Sequence, residues 1–192
     1  MQPREKLRQT LENVQGTALV AFLTAGYPKP ETFLDLLREI SATADVVELG
    51  VPFTDPMADG VTIQRSSQSA LRQGVTLKWI FDQLESCNFE LSSPMLLMSY
   101  MNPLLAFGLE SLVSRMRNTG VSGLIVPDLP YEESDILKSE LNAQGLALVQ
   151  MVTPATPKPR LKKLCLASDG FVYAVTRAGI TGGGSNLPED LA

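Results

Sequence analysis

The sequence predicts an α/β fold built on a parallel sheet. Short β-rich apolar runs alternate with amphipathic, charge-bearing stretches, and Pro and Gly punctuate the boundaries between them. The strand-helix alternation repeats about every 25 residues, the length of a right-handed βαβ crossover. With 192 residues, 44% of them hydrophobic, the chain can bury one sizeable core, and no low-complexity stretch divides it, so residues 1–192 read as a single domain.

Taken in order, the strands are TALVAFLT (17–24), DVVELG (45–50), MLLMSY (95–100), SGLIVPD (122–128), LALVQMV (146–152) and GFVYAV (170–175). Helices are expected over 31–42, 61–72, 77–86, 109–119, 131–144 and 158–167, several with Pro ahead and Gly behind. The connection between the second and third strands is about twice the usual length and carries PFTDPMADG before two helices; so long a βα connection is usually functional. Six βα repeats are either a nearly complete doubly wound sheet or most of an eight-stranded barrel, and repeat counting leaves both open.

Composition excludes several classes. A net charge of −5 with a pI near 4.8 gives no broad basic field, so nucleic-acid binding is not expected and any anionic ligand must be held locally. The two cysteines, Cys87 and Cys165, have no CxxC spacing and there is no histidine, so no metal site is expected and the thiols read as free in a reducing compartment. MQPREKLRQTLENVQ lacks an apolar signal-peptide core and no apolar run is long enough to span a bilayer. The expectation is a soluble cytoplasmic protein without membrane contact; a removed transit peptide would leave plastid stroma open.

Chemistry centres on two carboxylates. In the second strand Val46, Glu48 and Gly50 share one face and Val47 and Leu49 the other, which leaves Glu48 as a carboxylate on an apolar strand. It either forms a structural ion pair toward the helices or faces inward near the strand's C-terminal end, the usual catalytic rim of a barrel. Asp59, before Gly60 in the long loop, reads alone as a turn or helix cap. Paired with Glu48 it can converge on one substrate, the buried Glu titrating near neutrality and a solvated Asp staying anionic. By the same alternation Phe22, Tyr100, Ile125 and Tyr173 sit toward strand ends, Tyr100 sharing its face with Met98; together they are either core packing or an apolar, aromatic-rich pocket. The run Thr176-Arg177-Ala178-Gly179-Ile180-Thr181-Gly182-Gly183-Gly184-Ser185-Asn186 either brings backbone amides to an anion or is a flexible connection; it has no Walker A pattern.

The block VELGVPFTDPMADGVTIQRSSQSAL, with FLTAGYP, MSYMNP, GLIVPDLPYEES, TPATPKPRLKKL and GFVYAVTRAGITG in the same order, resembles the tryptophan synthase alpha subunit family from about Thr17 to Gly182. The resemblance implies a (β/α)8 TIM barrel, of which about six of the eight βα units lie in these 192 residues. It implies retro-aldol cleavage of indole-3-glycerol phosphate to indole and glyceraldehyde 3-phosphate in tryptophan biosynthesis, with no cofactor in this chain. Glu48 matches the family's acid/base and Asp59 the carboxylate that holds the indole N–H. Phe22, Met98, Tyr100, Ile125 and Tyr173 match the indole pocket, Thr181 a loop residue that closes over it, and Gly182 a phosphate donor. The implied partner is a pyridoxal-phosphate-dependent beta subunit in an alpha2beta2 complex, with Asp55, Pro56, Asn102 and Pro103 in segments that resemble the docking face.

The family pattern continues through two further βα units, roughly 60 to 75 residues, that supply the rest of the phosphate site. Without them an isolated chain is expected to show weak or no turnover, because remote binding energy for orientation is lost. Two alternatives stay open: a catalytically silent module that docks the beta subunit, and another phosphate-binding barrel enzyme. A Schiff-base aldolase is disfavoured because no strand core contains a lysine.

Overall fold

In a computed structural model, residues 1–176 are described. Six strands form one sheet: β1 (Val20–Thr24), β2 (Val46–Gly50), β3 (Met95–Met98), β4 (Val121–Ile125), β5 (Ala147–Val152) and β6 (Val172–Ala174). Every pairing is parallel and the spatial order follows the sequence, β1-β2-β3-β4-β5-β6. A doubly wound sheet reverses its strand order at a switch point; sequential order with crossovers of one hand keeps the helices on one side and curls the sheet. That order decides for the barrel.

Eight α-helices accompany the strands among the described residues: α1 (Pro3–Asn13), α2 (Phe33–Thr43), α3 (Val61–Arg72), α4 (Leu77–Ser86), α5 (Met101–Phe107), α6 (Leu109–Asn118), α7 (Asp135–Ala143) and α8 (Lys158–Ala167). The bounds expected for α3, α4 and α8 are met. Helical spacing explains the buried stripes: Phe33, Leu37 and Ser41 on α2, Leu77, Ile80, Phe81 and Leu84 on α4, Leu137 and Leu141 on α7.

The strand alternation sorts the core into two layers. Val47, Leu49, Leu97, Leu124 and Leu148 face outward and pack with residues of α2 to α7. Val46, Leu96, Ile125, Ala147 and Val149 face inward, where Val20, Met98, Phe171 and Tyr173 join them. The inner layer is closed from below by α1, whose Leu7 is fully buried among the inward side chains and whose Arg4 N–H donates to the Gly145 carbonyl at 3.0 Å. Gly170, at φ +79°, lets the helix this close; a Cβ there would lie 2.8 Å from Leu7 Cδ2.

Several expectations need correction. No element was expected over 3–13, because α1 shows only Leu7 and Leu11 at helical spacing amid charge. Nor was α5 expected as a helix: β3 stops at Met98, and Tyr100, expected within the strand, is instead the extended residue ahead of α5. The Met101 N–H donates to Asp128 Oδ1 at 2.9 Å, so the cap comes from a distant loop. The helix expected over 31–42 begins with a 3₁₀ turn at Pro30–Thr32, and that over 131–144 splits into a 3₁₀ turn at Tyr131–Glu133 and α7.

No helix among the described residues is long and apolar enough to cross a membrane, and no group of three or more potential ligands among them is placed to hold a metal ion.

Candidate active site

Parallel pairing brings the C-terminal ends of the strands to one rim, and the inner face of that rim opens into a cavity of about 830 Å³. Glu48 lies two residues before the end of β2, in register with Phe22 on β1 and Leu96 on β3. Its neighbours in the sheet are therefore apolar. It is only 5% exposed, makes no ion pair or side-chain hydrogen bond among the described residues, and lines the cavity. Burial alone pushes its carboxyl from an ordinary 4.5 up to about 7. The structural ion-pair reading of Glu48 does not hold.

Asp59 reaches the same cavity from the long loop after β2. The helix-cap reading fails too, since α3 starts from Gly60 without a side-chain cap. The loop is fixed at its end by backbone: Asp59 N–H donates to the Pro56 carbonyl at 3.2 Å, and Gln64 Nε2 on α3 donates to the Asp59 carbonyl at 2.9 Å. The buried side of α3 carries Ser66, Ser67 and Ala70, small enough to bring the helix against the end of β1, where Ser66 Oγ and Thr24 Oγ1 share a hydrogen bond of 2.7 Å. Asp59 is half-buried rather than solvated; burial raises its carboxyl and the Tyr100 hydroxyl beside it pulls the other way.

The aromatic wall is present with one adjustment. Phe22, Met98 and Tyr173 line the cavity, and Tyr100 lines its upper recess with Asp59. Ile125 faces inward but lies fully buried in the layer beneath. Burial, then the nearby charges of Glu48 and Asp59, raise the Tyr173 phenol, which places that ring beside both carboxylates. Gly50 serves the wall indirectly: a Cβ on it would collide with the Phe22 ring, so the glycine gives that ring its seat at the rim. Neither Gly50 nor the lining residues Val20, Met151 and Phe171 were singled out for the site, although the alternation that located Phe22 extends to all of them.

The expected docking segments flank this rim. Asp55 and Asn102 are exposed and Pro56 and Pro103 partly so, and the same segments carry Met57 at 90% exposure and Leu105 at 53%. Thr181 and Gly182, with the rest of the glycine-rich run beyond Thr176, lie outside the described residues.

Comparison with known proteins decides the family. The family model described as "Tryptophan synthase alpha chain" matches residues 8–192. The chain belongs to the tryptophan synthase alpha chain family. Among curated relatives, the alpha chain of Bacillus cereus (strain AH820) is 43% identical over 188 residues, which cover 97% of this chain and 72% of the relative. The alpha chain of Bacillus anthracis (strain CDC 684 / NRRL 3495) gives the same figures. Among solved structures, tryptophan synthase subunit alpha of Legionella pneumophila str. Paris superposes with a TM-score of 0.83 at 30% identity, covering 91% of this chain and 68% of that one. A structure of Mycobacterium tuberculosis tryptophan synthase gives 0.81 at 30% identity, covering 95% and 70%. The fold is thus that of the family's TIM barrel, and the chain has a lyase role in tryptophan synthesis as a tryptophan synthase alpha chain.

Proposed function

We propose that the chain is a carbon–carbon lyase that cleaves indole-3-glycerol phosphate to indole and glyceraldehyde 3-phosphate, with Glu48 and Asp59 as its catalytic carboxylates. The observation that carries this is the buried Glu48, unpaired among the described residues and poised near neutrality on the same cavity as Asp59. Protonated Glu48 delivers its proton to indole C3. The ring nitrogen then becomes cationic, and the Asp59 carboxylate, hydrogen-bonded to its N–H, stabilises that charge. As the bond from C3 to the glycerol carbon breaks, its electron pair returns to the ring and discharges the nitrogen. The Glu48 carboxylate takes the proton of the glycerol hydroxyl, whose carbon becomes the aldehyde. One group serves as acid and then base, which a pKa near the working pH favours.

Phe22, Met98, Tyr100 and Tyr173 form the walls against the indole ring, with Ile125 as the floor beneath them. A cavity of about 830 Å³ falls in the range for small-molecule sites. Thr181 is assigned to loop closure and Gly182 to a backbone contact with the phosphate. The reaction as written needs no cofactor from this chain. The partner is a tryptophan synthase beta subunit carrying pyridoxal phosphate, in an alpha2beta2 complex in the cytoplasm, docked over Asp55, Pro56, Asn102 and Pro103.

Indole release from indole-3-glycerol phosphate, measured with and without a beta subunit and beside a Glu48→Gln variant, tests the assignment. Release that the substitution abolishes is expected; release that survives it overturns the assignment.

A further inference from the structure

Tyr100 stands apart from the other pocket aromatics because both its ring and its hydroxyl are engaged by the loop that carries Asp59. Tyr100 is 6% exposed, and its ring stacks on Phe53 near the start of that loop, with centroids 5.2 Å apart and planes 29° from parallel. At the other end the hydroxyl oxygen accepts the Ala58 N–H at 2.8 Å, one residue before Asp59. The Asp59 carboxylate lies beside the hydroxyl and is the group toward which its proton can turn. The loop has few other holds, with Thr54, Asp55, Met57 and Ala58 all exposed.

Tyr100 itself is anchored on both sides. The Ser99 N–H donates to the Ile125 carbonyl at 3.1 Å, and the Met101 N–H to Asp128 at 2.9 Å. We infer that Tyr100 is a positioning residue whose hydroxyl, accepting from Ala58 N–H and donating to Asp59, locks the catalytic loop onto the rim of β3 and aims the Asp59 carboxylate into the cavity. The catalytic consequence rests on the lyase reading above; the structural one does not.

Tyr100→Phe in the 192-residue chain removes the hydroxyl and keeps the Phe53 stack. Native-state hydrogen exchange and NMR titration of aspartate-labelled protein read the clamp directly. Ala58 amide exchange should accelerate roughly ten-fold, as expected when one hydrogen bond is lost. The Asp59 midpoint should move upward, since the opposing hydroxyl is gone. Glu48 and Tyr173, which share the cavity, and Asp128, which faces Tyr100 from the loop after β4, are unchanged in the variant and set the same background in both proteins. Unaltered Ala58 exchange and an unaltered Asp59 midpoint overturn the proposal. In turnover, kcat should fall with KM nearly constant, and the Tyr100→Phe/Asp59→Asn double variant should be no slower than Asp59→Asn alone; independent, multiplying losses also overturn it. Wild-type protein that releases no indole bears on the lyase reading alone, and the exchange and titration results still decide the clamp.

Discussion

Glu48→Gln should make the protein more stable at alkaline pH and leave it nearly unchanged in acid. Glu48 is 5% exposed, has no partner among the described residues, and its carboxyl is raised by burial from 4.5 to about 7. A carboxyl whose folded pKa is raised binds more protons folded than unfolded. Its destabilising effect is therefore absent below the unfolded value, grows as pH rises between the two, and is complete above the folded one. Across the interval from 4.5 to about 7, at ~1.4 kcal/mol per pH unit, the charged form weakens the fold by about 3 kcal/mol. Glutamine keeps the shape and stays neutral. Urea unfolding of wild type and variant should give a difference under about 1 kcal/mol at pH 5 and about 3 kcal/mol in favour of the variant at pH 8. A difference independent of pH, or a less stable variant at pH 8, would show that Glu48 is paired or hydrated in solution and would refute the reasoning.

Other substitutions probe the scaffold. Gly50→Ala places a methyl group where the Phe22 ring lies; the ring must move into the cavity, raising KM for indole-3-glycerol phosphate, or stay and lower stability by ~1–3 kcal/mol, and a variant with unchanged KM and Tm would contradict the packing. Leu7→Ala, which opens a void under the inner layer, should cost about 2–5 kcal/mol in urea unfolding, and a loss well below that would mean that α1 is not the plug. Ser122→Ala removes a fully buried hydroxyl that has no hydrogen-bond partner among the described residues; thermal unfolding should show stability unchanged or raised by up to about 1 kcal/mol, and a clear loss would reveal a hidden partner.

Local spacing made the strands, three helix boundaries and Glu48 legible, because alternation and helical periodicity are set by residues a few positions apart. Val46, Glu48 and Gly50 needed only the period of two to be placed on one face. Which face lies inside needed the strand order, a property of the whole sheet. Elements fixed by distant partners were the ones missed. α5 takes its cap from Asp128, 27 residues from Met101, and α1 is held by burial of Leu7 against strands that follow much later. Asp59 was legible as a residue type in a loop, but its environment was misjudged: the hydroxyl that flanks it comes from Tyr100, and the loop's link to Tyr100 spans 42 residues.

The position of Glu48 also explains how one carboxylate can stay unpaired without a specific device to raise its pKa. On the inner face its strand neighbours are Phe22 and Leu96, and Leu7 closes the layer below against water. Arg160 lines the same cavity, yet among the described residues burial alone shifts the Glu48 carboxyl. Among the described residues the long loop supplies the only other carboxylate lining the cavity, and that group is a second negative charge, not a counter-ion. Burial therefore sets the proton affinity of Glu48, and the same burial destabilises the fold when the proton leaves. The protonated form that starts the reaction is also the form the fold tolerates, so wild-type turnover should fall as pH rises through about 7, the same folded-state midpoint at which the loss of stability levels off. Separate midpoints for turnover and stability would break that link.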